Sequence, residues 1–124
     1  MIETTVDEKQ NLTIHKCSGD LTEQEILDTV HSFYGGDPTL LTLWDFSNAS
    51  VDNISSETVR NIFTLIQRIG PRRQGGKTAV VVPEDLAYGM ARMFQIMSDT
   101  NDFPFKIKVF RYYGEASQWL LEKE

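Results

Sequence analysis

Two residues near the start of the chain, His15 and Cys17, have the side-chain types of a nucleophilic pair and stand two positions apart. On an extended strand, that spacing places both side chains on the same face. A Cys–His pair becomes a nucleophile only when its surroundings activate the thiol and a third group orients the imidazole. The neighbouring sequence supplies neither, so we interpret both residues as packed core residues, as lone cysteines most often are.

Carboxylates offer a second kind of chemistry, because paired acids can hold a divalent cation. Asp45 and Asp85 both follow apolar runs, which would place them at the carboxyl edge of a parallel sheet, where such sheets bind ligands. Acids at these positions also cap turns and helices, and His31 is the only histidine besides His15. We therefore predict no metal site, no cofactor and no catalytic residues, and a metal-assisted hydrolase is the least favoured alternative.

A methionine-rich segment beginning near Asp85 is predicted to be a helix that is apolar on most sides, with one stripe formed by Leu86, Met90, Met93 and Met97. Methionine adapts to apolar partners of varied shape. Either the helix is simply well buried, or it borders a pocket for a lipid-like molecule or a subunit interface. The candidate ligand or interface residues are Trp44, Asp45, Tyr88, Met90, Met93, Phe94 and Met97.

The overall charge limits the choice of partner. The formal net charge is −6, which disfavours nucleic acid. A basic segment, Arg68, Arg72, Arg73 and Lys77, runs against this trend. We interpret it as an exposed, solvated loop, and peripheral contact with an anionic membrane surface is the alternative.

Length and composition predict one domain that spans residues 1–124, with an ordinary apolar fraction of 40%. The single cysteine permits no internal disulfide. The sequence shows neither a signal-peptide pattern nor an apolar run of the roughly 20 residues that a spanning helix needs. These features together favour a cytoplasmic protein without a transmembrane segment.

Strands and helices that alternate along the chain must position these residues. Apolar alternation and β-branched runs predict strands at Ile2 to Val6, Leu12 to Cys17, Leu40 to Trp44, Thr78 to Val82 and Phe105 to Arg111. Helices are predicted from Thr22 to Gly35, from Ser55 or Ser56 to Gly70, from Pro83 to about Ser98 and from Glu115 to Leu121.

Local signals mark the ends of several elements. Thr22 and Glu25 form a capping-box pattern that predicts the start of the first helix. The prediction breaks the second strand at Ser18, Gly19 and Asp20 and assigns Asp45 to Ile54 to a polar, irregular loop. Gly70 and Pro71 end the second helix, and residues 72–76 are expected to be exposed.

This order of elements predicts an α/β fold with a four- to five-stranded, mostly parallel sheet, an N-terminal antiparallel strand and about four helices. In addition, the residues resemble the SpoIIAA-like proteins of the STAS superfold. The resemblance is carried by residues 43–47 at a strand end, by the run from Lys77 through Tyr88 to Phe94, and by residues 109–120, and it implies the same fold here.

The resemblance implies the fold more than the function, but it does indicate a candidate switch turn. Related domains are switched by phosphorylation of a serine in an acid-serine turn, and the matching stretch here is residues 53–57. Ser55 aligns with the phosphoacceptor and Ser56 follows it. Ile54 stands in place of the acid and Glu57 in place of a glycine. A phosphate beside Glu57 is electrostatically unfavourable, although a helix N-terminus partly offsets that cost.

The leading hypothesis is therefore a non-enzymatic binding or regulatory module. Its expected partner is another protein or a second copy of the chain, as in a dimer, bound through the third helix or the Asp45–Ser56 segment. The alternative is a carrier or sensor of a small hydrophobic, lipid-like ligand.

Overall fold

The computed structural model describes residues 1–82, 85–100 and 103–122, without the side chains of residues 86 and 87. Within these ranges, five strands form one sheet: β1 (Ile2–Asp7), β2 (Leu12–Asp20), β3 (Leu41–Ser50), β4 (Lys77–Val81) and β5 (Lys106–Phe110). The helices there are α1 (Glu23–Gly35), α2 (Ser56–Ile69), α3 (Asp85–Thr100) and α4 (Tyr113–Leu121), with a short 3-10 helix at Gly70–Arg73.

The strand order follows the chain, β1-β2-β3-β4-β5. β1 pairs antiparallel with β2, and all other neighbouring strands are parallel. One helix joins each parallel pair. Such crossovers are right-handed. Because β3, β4 and β5 are each added on the same side of the preceding strand, the connecting helices α1, α2 and α3 all lie on one face of the sheet. The predicted α/β fold class is confirmed.

Helices cover both faces of the sheet, and each face has its own apolar core. On one face α4 packs against the strands, and the core residues are Leu12, Leu43, Ala79, Val81, Phe110, Ala116 and Leu120. On the other face, α1, α2 and α3 form a layer whose buried residues include Ile26, Val30, Tyr34, Val59 and Leu65. We call these the α4 face and the three-helix face.

The helix starts follow the sequence signals. At α1, the Thr22 hydroxyl accepts a hydrogen bond from the Glu25 N–H (3.2 Å), and the Glu25 carboxylate accepts one from the Thr22 N–H (3.0 Å). This reciprocal pair is the predicted capping box. At α2, Ser55 is the N-cap. Pro83 and Glu84, where the sequence places the start of the third helix, lie outside the described residues.

Two loop predictions were wrong. The polar residues after Trp44 extend β3 to Ser50, and the residues after Cys17 extend β2 to Asp20, because these segments pair with each other, as in Gly19 with Ala49. Residues 18–20 and 46–50 are exposed or half-buried, so they lack the apolar alternation that predicts a strand. The second error concerns the basic segment, for which the sequence predicts an exposed loop: Arg73 is only 1% exposed, and Lys77, the first residue of β4, is 8% exposed.

Candidate functional site

A cavity of about 140 Å³ lies between the sheet and the three-helix layer. Its volume is close to that of an engineered apolar cavity of roughly 150 Å³ that binds benzene. The walls are mostly hydrocarbon and aromatic side chains. They come from α1 (Val30, Phe33), α2 (Ile62, Ile66), α3 (Met90, Ala91, Phe94) and the strands (Trp44, Phe46, Val80, Ile107).

Aromatic rings stiffen the wall that the sheet contributes. The Trp44 and Phe46 rings stack at 6.1 Å between centroids with an angle of 12° between their planes. His15 packs against Trp44 at 4.3 Å and against Phe33 at 5.5 Å. Aromatic contacts of this kind stabilise beyond the area that they bury, so this wall is expected to keep its shape.

A group of hydroxyls and a guanidinium form one part of the cavity wall. It consists of Tyr34, Thr42, Arg73 and Thr78, all of them buried. The Thr42 and Thr78 hydroxyls share a hydrogen bond of 2.8 Å. Arg73 Nη1 donates to the Thr78 hydroxyl (2.9 Å) and to the Tyr34 hydroxyl (3.2 Å). We call these four residues the polar cluster.

Arg73 is the centre of the polar cluster and uses all of its donors within the protein. Besides the two hydroxyls, its Nε donates to the Thr39 carbonyl (2.8 Å), and its Nη2 donates to the carbonyls of Leu40 (2.8 Å) and Lys77 (2.9 Å). The guanidinium also lies over the Phe105 ring, 4.2 Å from its centroid. One side chain thus joins the 3-10 helix to the starts of β3 and β4.

The charge of Arg73 is not balanced by an acid. In the described part of the chain, the ion pairs involve other groups and no carboxylate contacts this guanidinium. Burial lowers the pKa of Arg73, and the neighbouring Tyr34 hydroxyl partly opposes this shift. Burial also raises the pKa of Tyr34, so its hydroxyl keeps its proton. The cavity therefore has a positively charged, hydrogen-bonding end.

His15 and Cys17 are both buried, as the sequence predicts, and their side chains do not bond each other. The His15 Nδ1 is 2.9 Å from the Thr4 hydroxyl, and its Nε2 has no hydrogen-bond partner among the described residues. Burial, followed by the charge of Arg73, lowers the pKa of His15 to about 4. Burial raises the pKa of Cys17 to about 12, with Asp45 adding to the shift. The thiol is therefore neutral and unactivated.

The structure separates two residues that were predicted to share a site. Trp44 lines the cavity, whereas side chains alternate along a strand and place Asp45 on the α4 face. Leu43, two residues earlier, packs in the core of that face, and Asp45 contributes to raising the pKa of Tyr113 on α4, after burial. Asp45 accepts hydrogen bonds from the backbone and hydroxyl of Ser47.

Asp85 and Tyr88 form a small surface cluster with Arg111. The Arg111 guanidinium is 2.8 Å from an Asp85 oxygen and lies 4.4 Å from the centroid of the Tyr88 ring. The Asp85 side chain is 93% exposed, so the ion pair contributes little stability. Among the described residues there is no group of three or more His, Cys, Asp or Glu side chains that could hold a metal.

The methionine-rich helix α3 contributes part of its length to the cavity. Met90 and Phe94 line it, and Met93 packs nearby in the same core. Met97 is half-buried and does not line the cavity. Ile96 lies on the outer side and is 53% exposed. The candidate residues on α3 are thus divided among the cavity, the core and the surface.

The candidate switch turn lies at the start of α2. The Ser55 hydroxyl accepts a hydrogen bond from the Thr58 N–H at 3.2 Å, and both Ser55 and Ser56 are exposed. Ile54, just before Ser55, and Val59, one turn into the helix, both line the cavity. The serine turn and the cavity therefore share a stretch of chain.

Sequence reasoning missed the polar cluster. Tyr34, Thr42 and Thr78 stand in predicted elements as ordinary residues, and Arg73 stands between glycines and other basic residues. One signal was available: Thr42 and Thr78 are polar residues within otherwise apolar central strands, where a buried hydroxyl needs a partner.

Among solved structures, the chain is similar to an uncharacterised protein of the DUF3478 family from Shewanella loihica, which has a SpoIIAA-like fold. The identity is 18% over 97% of this chain and 92% of that chain, with a TM-score of 0.62. It is also similar to the anti-sigma factor antagonist SpoIIAA in its unphosphorylated form, at 11% identity, 96% coverage of both chains and a TM-score of 0.48. No family model and no curated protein matches the sequence.

The protein thus has a SpoIIAA-like fold, as its sequence resemblance predicted. No helix in residues 1–82, 85–100 and 103–122 has both the length and the apolar character needed to cross a bilayer.

Proposed function

We propose that the protein is a non-enzymatic binding and regulatory module whose ligand is one small, largely apolar molecule held in the cavity of the three-helix face. The observation that carries this proposal is the 140 Å³ cavity with its hydrocarbon and aromatic walls. An empty apolar space forfeits the dispersion contacts of the atoms around it. A molecule of matching size restores those contacts and is stabilised by leaving water.

The size of the cavity limits the ligand. Pockets for drug-sized molecules occupy roughly 300–1,000 Å³, so a cavity of 140 Å³ fits a single-ring compound or a short branched chain. This volume favours a small ring compound over a lipid-like ligand, which is the alternative that the sequence leaves open. The non-enzymatic part of the proposal is supported by the neutral, buried state of Cys17 and by the burial of His15.

Regulation through a protein partner is the second part of the proposal. Ile54 and Val59 line the cavity on either side of the α2 N-cap, Ser55. A ligand that displaces either side chain would alter the exposed turn, and a partner protein could recognise that change. Phosphate on Ser55 or Ser56 would act at the same turn, and intact-mass spectrometry of protein from its native host would detect it. Unmodified protein under all growth conditions would contradict phosphorylation and leave the ligand proposal in place.

Benzene binding tests the ligand proposal. Benzene is expected to raise the free energy of unfolding in urea, because a ligand that binds only the folded state stabilises it by mass action. Ala91→Leu places a larger side chain on the cavity wall and should abolish the effect. Arg92→Leu introduces the same side chain at the exposed neighbouring position of α3 and should preserve the effect. Equal stability of the wild-type protein with and without benzene would contradict the proposal.

A further inference from the structure

The polar cluster has hydrogen-bond donors that the protein does not use. The Thr42–Thr78 hydrogen bond consumes one hydroxyl proton, and the second proton of this pair has no acceptor among the described residues. The Tyr34 hydroxyl accepts a hydrogen bond from Arg73, and its own proton likewise has no acceptor in the described ranges. Buried polar groups are almost always paired. Two unused donors on a cavity wall therefore indicate a ligand that accepts hydrogen bonds.

The charge of the cluster narrows the ligand further. Arg73 is 1% exposed, and no carboxylate among the described residues pairs with it. Its five N–H groups are already bonded to the protein, so a ligand would meet the hydroxyls that Arg73 polarises and not the guanidinium itself. In an environment of low dielectric constant, an uncompensated positive charge attracts an anion strongly and disfavours a cation at the same place.

We infer that the cavity selects a small aromatic monocarboxylate, with its ring against the Trp44, Ile62 and Phe94 side chains and its carboxylate accepting hydrogen bonds from the Tyr34 and threonine hydroxyls. This inference rests on the proposed apolar-ligand site and adds the chemical group that gives it specificity. Ring and carboxylate together suit a cavity with one positive end and otherwise apolar walls. A carboxylate in this place would supply the counter-charge that Arg73 lacks.

Three probes that share one aromatic ring test the effect of charge on binding: benzoate (negative), benzene (neutral) and benzylamine (positive at neutral pH). Their dissociation constants for the full chain can be measured at neutral pH by ligand-observed NMR. Benzoate is expected to bind at least about ten-fold more tightly than benzene, because its hydrogen bonds and charge add to the same ring burial. Benzylamine is expected to bind more weakly than benzene.

Variants of the polar cluster locate the carboxylate. Tyr34→Phe keeps the ring and removes a hydroxyl proton that the described residues do not accept, and it should reduce the preference for benzoate over benzene about ten-fold. Thr42→Val is the second variant; it leaves the Thr78 hydroxyl as a donor and should reduce the preference by a smaller factor. Thr64→Val is the control, because Thr64 is exposed on the outer side of α2, and it should keep the wild-type preference.

The outcomes separate this inference from the function on which it rests. Benzene binding without a preference for benzoate would overturn the inference and leave the apolar-ligand site standing. If neither compound bound, both would be wrong. A preference for benzoate that persists in Thr42→Val and Tyr34→Phe would place the carboxylate outside the polar cluster and would also overturn the inference.

Discussion

The two faces of the sheet differ in how closely their side chains pack. On the α4 face, small and branched side chains are fully buried: Ala79 and Ala116 are 0% exposed and Leu43 is 1% exposed. On the three-helix face, larger side chains such as Phe33, Ile62 and Met90 stay half-buried around a cavity of about 140 Å³. Protein interiors are normally close-packed, so the α4 face serves stability and the three-helix face is the one that has room for a ligand.

The buried charged groups differ between the faces as well. On the α4 face, the Lys77 ammonium donates to the carbonyls of Trp119 (3.1 Å) and Glu122 (3.2 Å) at the end of α4, where a cation complements the helix dipole. On the three-helix face, Arg73 is buried, and no carboxylate among the described residues pairs with it. The buried Lys77 of the α4 face thus stabilises the end of a helix, whereas the buried Arg73 of the three-helix face places a positive charge beside the cavity.

The largest effect is expected from Arg73→Met, which removes the guanidinium and keeps most of the side-chain volume. The carbonyls of Thr39, Leu40 and Lys77 would lose their buried donor, so the free energy of unfolding in urea should fall by about 4 kcal/mol. Arg68→Met, at an exposed position of α2, is the matched control and should change it by less than about 0.5 kcal/mol. A small effect at both positions would mean that the polar cluster does not stabilise the fold.

The second-largest effect is the dependence of the free energy of unfolding on pH, to which the buried His15 contributes. Its pKa is lowered from 6.5 to about 4 in the folded state, so the unfolded chain takes up the proton first as the pH falls. The contribution of His15 to the free energy of unfolding is fully present above pH 6.5 and is lost as the pH falls from 6.5 to 4. This loss amounts to about 3 kcal/mol.

Urea unfolding of wild type and His15→Gln at several pH values checks this prediction. The two proteins share their acidic residues, so the difference between their profiles isolates the imidazole. Below pH 6.5, the free energy of unfolding of the wild-type protein should fall more steeply with decreasing pH than that of His15→Gln. His31→Gln, at an exposed position, should follow wild type, and parallel profiles for all three proteins would contradict the burial of His15.

The smallest changes in the free energy of unfolding are expected from two alanine-to-leucine substitutions, one on each face, which compare the packing of the faces directly. Ala116→Leu enlarges a fully buried side chain on the α4 face and should lower the free energy of unfolding by about 2 kcal/mol through overpacking. Ala91→Leu enlarges a residue on the cavity wall and should raise it by about 1 kcal/mol through cavity filling. Thermal and urea unfolding measure both changes. Equal losses at the two positions would show that the three-helix face is as tightly packed as the other.

Much of the fold was predictable, because local signals specified it. The capping box at Thr22 and Glu25 and the helix-breaking Gly35 and Gly36 place α1 closely, and the β-branched run from Thr78 predicts a central strand. The outer parts of β2 and β3 were missed because their polar residues pair at an exposed end of the sheet, where no hydrophobic pattern is required.

The candidate site was predictable only in part. Helical periodicity pointed to Met90 and Phe94, and the structure places both on the cavity wall. Asp45 is next to Trp44 in the sequence yet lies on the opposite face of the sheet, because β3 continues beyond Trp44, where the sequence pattern predicts the end of the strand. Whether the cavity binds a ligand, and whether Ser55 or Ser56 is ever phosphorylated, remain predictions.

By itself the sequence determined the kind of fold, the order of its elements and the apolar character of α3, since these follow from patterns within one segment. Only the tertiary structure decided that Arg73 is buried and that its side-chain partners are the Tyr34 and Thr78 hydroxyls. The closest of these, Thr78, is separated from Arg73 by the glycine turn, and Tyr34 is 39 residues away. A cation can be buried at acceptable cost only when its donors find acceptors. The acceptors of Arg73 come from distant parts of the sequence and meet only when the sheet and the three helices pack together.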